Sequence, residues 1–277
     1  MAHLVLIHCS DEPGLVYKIT GVLFKHGLNI VRNGEFVDRE GNQFFMRTEV
    51  AGPFDAGAIH AELQHVLPPG AKIRLTNNQP KNIVLMATKE HHCLSELLVR
   101  HEFGELNARV LAVISNYEVL GDLTRKFNLP FHYLTHTGRS REAHEAEVLA
   151  VLAQYQPDFV VLAKYMRILS SEFVAHYTNR LVNIHHSFLP AFVGASPYAQ
   201  AFARGVKIIG ATAHFVNNEL DQGPIIAQNV IPIDHTQSAH EMAQAGRDIE
   251  KITLARSLKM VFDEQVFVHG NKTVIFD

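Results

Sequence analysis

The residues Asn77-Asn78-Gln79-Pro80-Lys81 divide this chain in two. They are polar, include a proline and carry no apolar periodicity, so they read as a linker rather than part of an element. On either side the hydrophobic pattern follows a different rule. Upstream, Leu4-Val5-Leu6-Ile7 is a short apolar strand ended by Ser10-Asp11-Glu12-Pro13-Gly14. Leu15, Ile19, Val22 and Leu23 then recur at helical spacing, and His26-Gly27 closes that element. Asn29 to Asp38 and Phe44 to Val50 form a hairpin around Arg39-Glu40-Gly41-Asn42, and a helix from about Asp55 to Val66 precedes a strand from Lys72 to Thr76. The order βαββαβ predicts a ferredoxin-like unit over residues 1–77.

Beyond the linker at 78–81, short apolar runs alternate with amphipathic stretches. The runs are Ile83 to Ala87, Val110 to Ser115, Phe131 to Leu134, Phe159 to Ala163 and Leu181 to Ile184. Helical patterns over Cys93 to Arg100, Tyr117 to Phe127 and Arg141 to Tyr155 separate them. Such alternation predicts an α/β unit over 82–277, with a mostly parallel, Rossmann-like sheet covered on both faces. Two β-rich runs, Lys207 to Asn217 and Pro224 to Ile233, a long helix from Ser238 to about Val266 and a late strand over Lys272 to Phe276 complete it.

A net charge of -3 over 277 residues gives no basic footprint for nucleic acid. No apolar run reaches the roughly 18 residues that a membrane helix needs, and the N-terminus lacks a basic leader, so the expectation is a soluble, cytoplasmic chain with no membrane partner. Cys9 and Cys93 are too few for a disulfide framework and read as free thiols.

The chemistry concentrates in Asn183-Ile184-His185-His186-Ser187-Phe188-Leu189-Pro190 and in Leu220-Asp221-Gln222-Gly223-Pro224. Asn183 and His185 are two apart, so on an extended backbone they share a face, and they stand where a strand gives way to a Pro-containing loop. Ligands of open α/β sheets bind beyond such strand ends. An imidazole exchanges a proton near neutral pH, an amide donates to an oxyanion, and a carboxylate orients the imidazole or a water. Each residue also has a bland use. Any one of 18 histidines is more often filler, Asn caps turns, and Asp is ordinary in a Gly-Pro turn. Their joint occurrence favours a catalytic trio. His186 is expected to face the other way, and His214 to support the site from a buried strand. Met166-Arg167-Ile168-Leu169 could line a pocket for a flat ring. No metal site is expected: there is no His-Glu-x-x-His, and close His pairs are common by chance here. Nor is there a phosphate-cradling glycine loop after the first strand of the second unit, where Ala87-Thr88-Lys89-Glu90-His91-His92-Cys93 stands.

These motifs resemble the formyltransferase-fold family that uses 10-formyltetrahydrofolate. Asp11-x-Pro13-Gly14-Leu15 with Gly27-Leu28-Asn29-Ile30 resembles an ACT domain. ACT followed by a formyltransferase fold is the arrangement of the formyltetrahydrofolate deformylases. His92-Cys93-Leu94, Val113-Ile114-Ser115-Asn116, His185-His186-Ser187-Phe188-Leu189-Pro190-Ala191-Phe192 and Ala245-Gly246-Arg247-Asp248-Ile249-Glu250 are similar to those enzymes too. The resemblance implies Asn183, His185 and Asp221 as catalytic residues, and Met166, Arg167, Ile168, Leu169, His214 and Leu220 as substrate-binding residues. It implies an amino-acid effector, glycine or methionine, near Asp11, Gly14, Leu15 and Asn29, a homo-oligomer, and no cofactor beyond the folate substrate. Three positions depart from the pattern: Ser196 replaces a basic residue, Tyr117 a histidine and Gln222 a glutamate. Ser196 is expected to weaken folate binding if that position meets the folate's glutamate tail. The implied reaction is hydrolysis to formate and tetrahydrofolate, feeding one-carbon and purine metabolism. Formyl transfer to an amine such as glycinamide ribonucleotide is the alternative, and a non-catalytic folate- or amino-acid-binding regulator is the third reading.

Overall fold

The computed structural model describes residues 3–191 and 197–276. They fall into two compact units. The first comprises Met1–Gln79 with Asp263–Phe267 and Val274–Asp277, and the second Pro80–Phe262 with Val268–Thr273.

The first unit runs β1 (His3–Ser10), α1 (Leu15–Lys25), β2 (Asn29–Asp38), β3 (Gln43–Ala51), α2 (Ala56–Val66) and β4 (Lys72–Thr76). Its sheet has the order β2-β3-β1-β4, antiparallel at each pairing. Gly14, at φ 88, turns the chain from β1 into α1, a left-handed conformation that glycine adopts without a Cβ clash. Asp55 caps α2 by accepting from the Ala58 backbone N–H at 3.1 Å. The alternating residues Val5 and Ile7 of β1 and Phe44 and Met46 of β3 meet Leu15, Ile19 and Leu23 of α1 and Ile59 and Leu63 of α2 in one core. The C-terminal segments depart from the expectation that 82–277 is a single unit. Arg47 of β3, 7% exposed, donates to the Glu264 and Asp263 carbonyls at 3.0 and 3.1 Å, and Phe267 packs edge-on against Phe45.

The second unit runs β5 (Lys81–Ala87), α3 (His92–Glu102), β6 (Ala108–Ser115), α4 (Gly121–Arg125), β7 (Phe131–Tyr133), α5 (Arg141–Tyr155), β8 (Phe159–Leu162), α6 (Ser171–His176), β9 (Leu181–His185), α7 (Pro197–Arg204), β10 (Ile208–Phe215), β11 (Ile225–Pro232) and α8 (Ala239–Phe262). The sheet order is β11-β10-β9-β8-β5-β6-β7. Strands β9 to β7 run parallel, while β10 and β11 are antiparallel additions. The chain moves outward from β5 through β6 to β7, then returns to place β8 on the other flank of β5. That reversal makes the β5/β8 boundary the switch point of the sheet. Lys81, expected in the linker, already pairs with Ala108.

Two expected helices differ. Of the Tyr117–Phe127 pattern only Gly121–Arg125 is α-helical, because Ser115 Oγ takes the Tyr117 N–H and a turn closes from Gly121 N–H to the Glu118 carbonyl. Helix α8 stops at Phe262, short of Val266, and Glu264 beyond it is left-handed at φ 58. The short helices α6 and α7 were not expected; Ser170 caps α6 through the Phe173 N–H. A final hairpin joins β12 (Val266–His269) to β13 (Lys272–Ile275). No described helix is long and apolar enough to cross a membrane.

Candidate active site

Strands β9 and β10 pair antiparallel so that His214 lies opposite Asn183 and Thr212 opposite His185. Thr212 then pins the loop that leaves β9. Its hydroxyl donates to the Ser187 carbonyl at 2.8 Å and accepts from the Leu189 N–H at 3.1 Å, while Ser187 Oγ donates to the Ala191 carbonyl at 2.6 Å. The Ser and Leu of the Asn-x-His-x-Ser-x-Leu-Pro motif thus hold a backbone shape and leave the chemistry to Asn183 and His185.

Asp221 arrives from the β10–β11 connection. A Cβ on Gly223 would stand 1.7 Å from the Phe215 carbonyl oxygen, so only glycine lets this loop lie against β10. The Pro224 carbonyl accepts from the Phe215 N–H at 2.9 Å just beyond it. Asp221 itself is left-handed at φ 56, a conformation that Asp tolerates better than most residues and that recurs at functional sites.

The three residues converge. Asp221 Oδ2 is 3.2 Å from His185 Nδ1, and Oδ1 is 3.8 Å from His214 Nε2. His185 is 5% exposed and its Nε2 has no hydrogen-bond partner among the described residues. Burial pushes the Asp221 carboxyl up, but the hydrogen bond and charge of His185 outweigh it and hold the pKa below the ordinary value. A carboxylate on Nδ1 therefore leaves Nε2 as the imidazole's free end. His214 is drawn in differently from the expectation that it meets substrate. At 2% exposure its Nδ1 donates to the Phe215 carbonyl at 2.8 Å, so Nε2 is the acceptor for the Asn183 amide at 3.2 Å. Burial lowers its pKa and keeps it neutral, as that pattern requires. Both ring nitrogens are used, so His214 fixes the Asn183 amide and leaves its second N–H free.

His186, expected to face the other way, keeps its ring centroid 5.0 Å from that of His185. It lines an apolar cavity of about 110 Å³ with Tyr198, Ala201 and Ile209. Burial, with the Lys164 and His185 charges, lowers its pKa to about 4. Beyond it lies a polar cluster that sequence reasoning missed. Glu250 of α8, 1% exposed, accepts from Tyr198 at 2.6 Å through Oε1, while Oε2 is 2.7 Å from His92 Nε2 and 3.1 Å from Lys164 Nζ. His92 Nδ1 faces Glu90 at 3.3 Å. Burial would raise Glu250, but His92, Lys164 and Tyr198 hold it down at about 2; burial would lower His92, but Cys93, Glu250 and Glu90 raise it to about 11. His92, Cys93 and Glu250 place ligand-type atoms within 4.8 Å of one another, the geometry of a three-ligand metal site. However, the Lys164 ammonium already holds the Glu250 oxygen a cation would need, so the cluster reads as an ion-pair network. The signals for it lay in His92-Cys93-Leu94 and in Gly246 through Glu250, stretches to which the sequence assigned no role.

With this geometry in place, comparisons with known proteins agree on one family. The Formyl transferase family model matches residues 81–258, and the ACT domain model matches residues 3–66. A formyltetrahydrofolate deformylase from Haemophilus influenzae is 51% identical over 272 residues, 98% of each chain. The crystal structure of a formyltetrahydrofolate deformylase from Pseudomonas syringae superposes with a TM-score of 0.95 at 40% identity, covering 100% of this chain and 94% of that one. The chain belongs to the formyltetrahydrofolate deformylase family. A glycinamide ribonucleotide transformylase from Symbiobacterium toebii is more distant, with a TM-score of 0.69 and 26% identity over 76% of this chain.

Within this deformylase fold, the residues expected to meet folate have mixed settings. Met166, Ile168 and Leu220 present apolar side chains at 57%, 59% and 51% exposure. Arg167 is half-buried, and its N–H donates to the Tyr165 carbonyl at 2.8 Å. Leu169 instead packs on the core under β8 and α6. Of the departures from the family pattern, Ser196 lies outside the described residues, as does Phe192. Tyr117 has Lys89 Nζ 4.3 Å above its ring and His136 edge-on beside it. Gln222 uses its carbonyl to accept from Asn271 at 2.8 Å. In the first unit, a separate open cavity of about 330 Å³ is lined by Asp11, Gly14 and Leu15 with Glu12, Glu35 and Phe36; Asn29 is not among its walls. Both cysteines are free and buried.

Proposed function

We propose that this chain hydrolyses 10-formyltetrahydrofolate to formate and tetrahydrofolate, with Asn183, His185 and Asp221 as the catalytic trio and no cofactor beyond the folate. One observation carries the assignment: the Asp221 carboxylate holds His185 by Nδ1 while Nε2 stays buried and without a protein partner. The free Asn183 N–H and, once His185 is protonated, its Nε2–H would donate to the formyl oxygen as it gains charge. Asp221 Oδ1 would hold the attacking water. The water oxygen adds to the formyl carbon, the C–N10 bond breaks, one water proton ends on N10 through His185, and the other is released with formate.

Met166, Ile168 and Leu220, with the Arg167 and Leu169 stretch, would bound the folate ring, and His214 serves the site by holding Asn183. The cavity at Asp11, Gly14 and Leu15 suits an amino acid such as glycine or methionine, whose ammonium would meet the Asp11, Glu12 and Glu35 carboxylates. ACT units commonly pair, so a homo-oligomer is expected, acting in the cytoplasm within one-carbon and purine metabolism. The test is turnover of 10-formyltetrahydrofolate without any amine, followed as formate release, then repeated with glycine or methionine present. Tetrahydrofolate formation only when an amine acceptor is added would replace hydrolysis with formyl transfer.

A further inference from the structure

Ligands of open α/β sheets settle at the switch point, beyond the carboxyl ends of the strands, commonly with an anionic group on a helix N-terminus. In this sheet that place lies beyond β5 and β8, whose following residues are Thr88 to His92 and Ala163 to Lys164. The two are joined there, because Thr88 Oγ1 donates to the Lys164 carbonyl at 2.7 Å. Lys164 is a non-glycine residue at φ 62 and 5% exposure, a strained conformation that turns its side chain inward instead of to water. It follows Leu162 by two residues, as His185 follows Asn183, and Leu162 pairs with Asn183. Lys164 thus lies just past the end of β8, next to the strand that ends in His185.

We propose that Lys164, Glu250, His92 and Tyr198 plug the acceptor side of this cleft and so reserve the formyl carbon for water, a role that rests on the hydrolytic reading above. The start of α3, where a phosphate would sit, is flanked by the carboxylates of Glu90 and Glu250, both on His92. The cations of this cluster, Lys164 and His92, are already committed to Glu250 and Glu90, so they offer an anionic acceptor no unpaired positive charge. Tyr198 packs beside this cluster. Its hydroxyl reaches Glu250 at 2.6 Å over Gly246, four residues earlier on the same face of α8. A Cβ on Gly246 would lie 2.1 Å from that hydroxyl, so the helix is cut back to seat the phenol. His186 stands between plug and trio, its ring 5.0 Å from that of His185 and 6.3 Å from that of Tyr198.

If the plug is opened, a primary amine can reach the formyl carbon. Its nitrogen adds to that carbon, the C–N10 bond breaks, and an amine proton moves to N10, so that tetrahydrofolate forms with a formamide instead of formate. The probe is glycinamide, and the readout is the ratio of N-formylglycinamide to formate. Wild type should give formate alone. Tyr198→Ala, which removes the phenol, and Gly246→Ala, which displaces it, should each raise the ratio at least tenfold; Tyr198→Phe, which keeps the volume, should not. Two independent variants guard against one that misfolds. A general loss of structure lowers both products together and leaves the ratio alone, so the ratio isolates selectivity. An unchanged ratio in Tyr198→Ala and Gly246→Ala variants that keep wild-type circular dichroism overturns the plug, as does complete loss of turnover in them, since an acceptor barrier is dispensable for hydrolysis. Wild type that releases no formate without amine overturns the hydrolytic reading itself, a result visible before any variant is made.

Discussion

The second unit holds two histidine–carboxylate pairs of opposite design. In one, Asp221 takes His185 Nδ1 at 3.2 Å and leaves Nε2 without a partner. In the other, His92 faces carboxylates with both nitrogens, Glu250 at 2.7 Å and Glu90 at 3.3 Å, and Glu250 adds Lys164 and Tyr198. The carboxylates differ as well, with the Asp221 side chain 12% exposed and that of Glu250 1%. The lesson is that residue types do not separate a reactive pair from a structural one. What separates them is the charge beside the second ring nitrogen: Glu90 stands 3.3 Å from His92 Nδ1, whereas no carboxylate faces His185 Nε2 among the described residues. Neither second nitrogen makes a hydrogen bond among the described residues, but His92 Nδ1 faces a counter-charge, while His185 Nε2 is left for a ligand to complete.

The comparison breaks most sharply at the reactive pair. His185→Ala and Asp221→Asn should each lower kcat by about 10³-fold or more, with little change in denaturation midpoint, because Asn tolerates the left-handed backbone at 221. Calorimetry with a folate analogue should still show binding, and near-normal turnover in either variant would refute the assignment. Glu250→Ala should do the reverse. It leaves Lys164 buried without its counter-charge and His92 with Glu90 alone, for a loss of about 3–5 kcal/mol in urea denaturation; stability within 1 kcal/mol of wild type, roughly the worth of a surface ion pair, would make the network incidental.

Asn183→Ala should cost about 10²–10³-fold in kcat with KM nearly constant, since its free N–H is used only as charge develops on the formyl oxygen. A rise in KM alone would recast Asn183 as a ground-state contact.

The smallest effect is on pH. His186 titrates near 4 when folded and near 6.5 when free. The unfolded chain therefore binds more protons between those values, so stability is fully present above 6.5 and falls as the pH drops toward 4. Glu250 has the usual carboxylate sign, its contribution being present above 4.5 and lost as the pH falls toward 2. His186→Gln should flatten the stability profile between pH 6.5 and 4 without changing it below. An unaltered slope there would place the proton uptake elsewhere.

The trio was legible because it sits in two short motifs at a strand end, where the two-residue period puts Asn183 and His185 on one face. The network was not. Its members stand at 92, 164, 198 and 250, and His92 and Glu250 are 158 residues apart. Nothing in local spacing marks Lys164 as buried, and Gly246 reveals its purpose only once Tyr198 lies over it. His214 shows the same limit: its burial was legible on β10, but its engagement with Asn183 needed the antiparallel register. The C-terminal residues 263–267 and 274–277 joined the first unit for a similar reason, through aromatic and Arg47 contacts far away in sequence.

By itself, the sequence determined most of the order of elements, the two-unit plan and the candidates for the trio, because hydrophobic period, turn residues and motif spacing are local properties of a chain. Only the tertiary structure decided which histidine keeps a nitrogen that no carboxylate faces, because that depends on which carboxylates arrive from elements distant in the sequence.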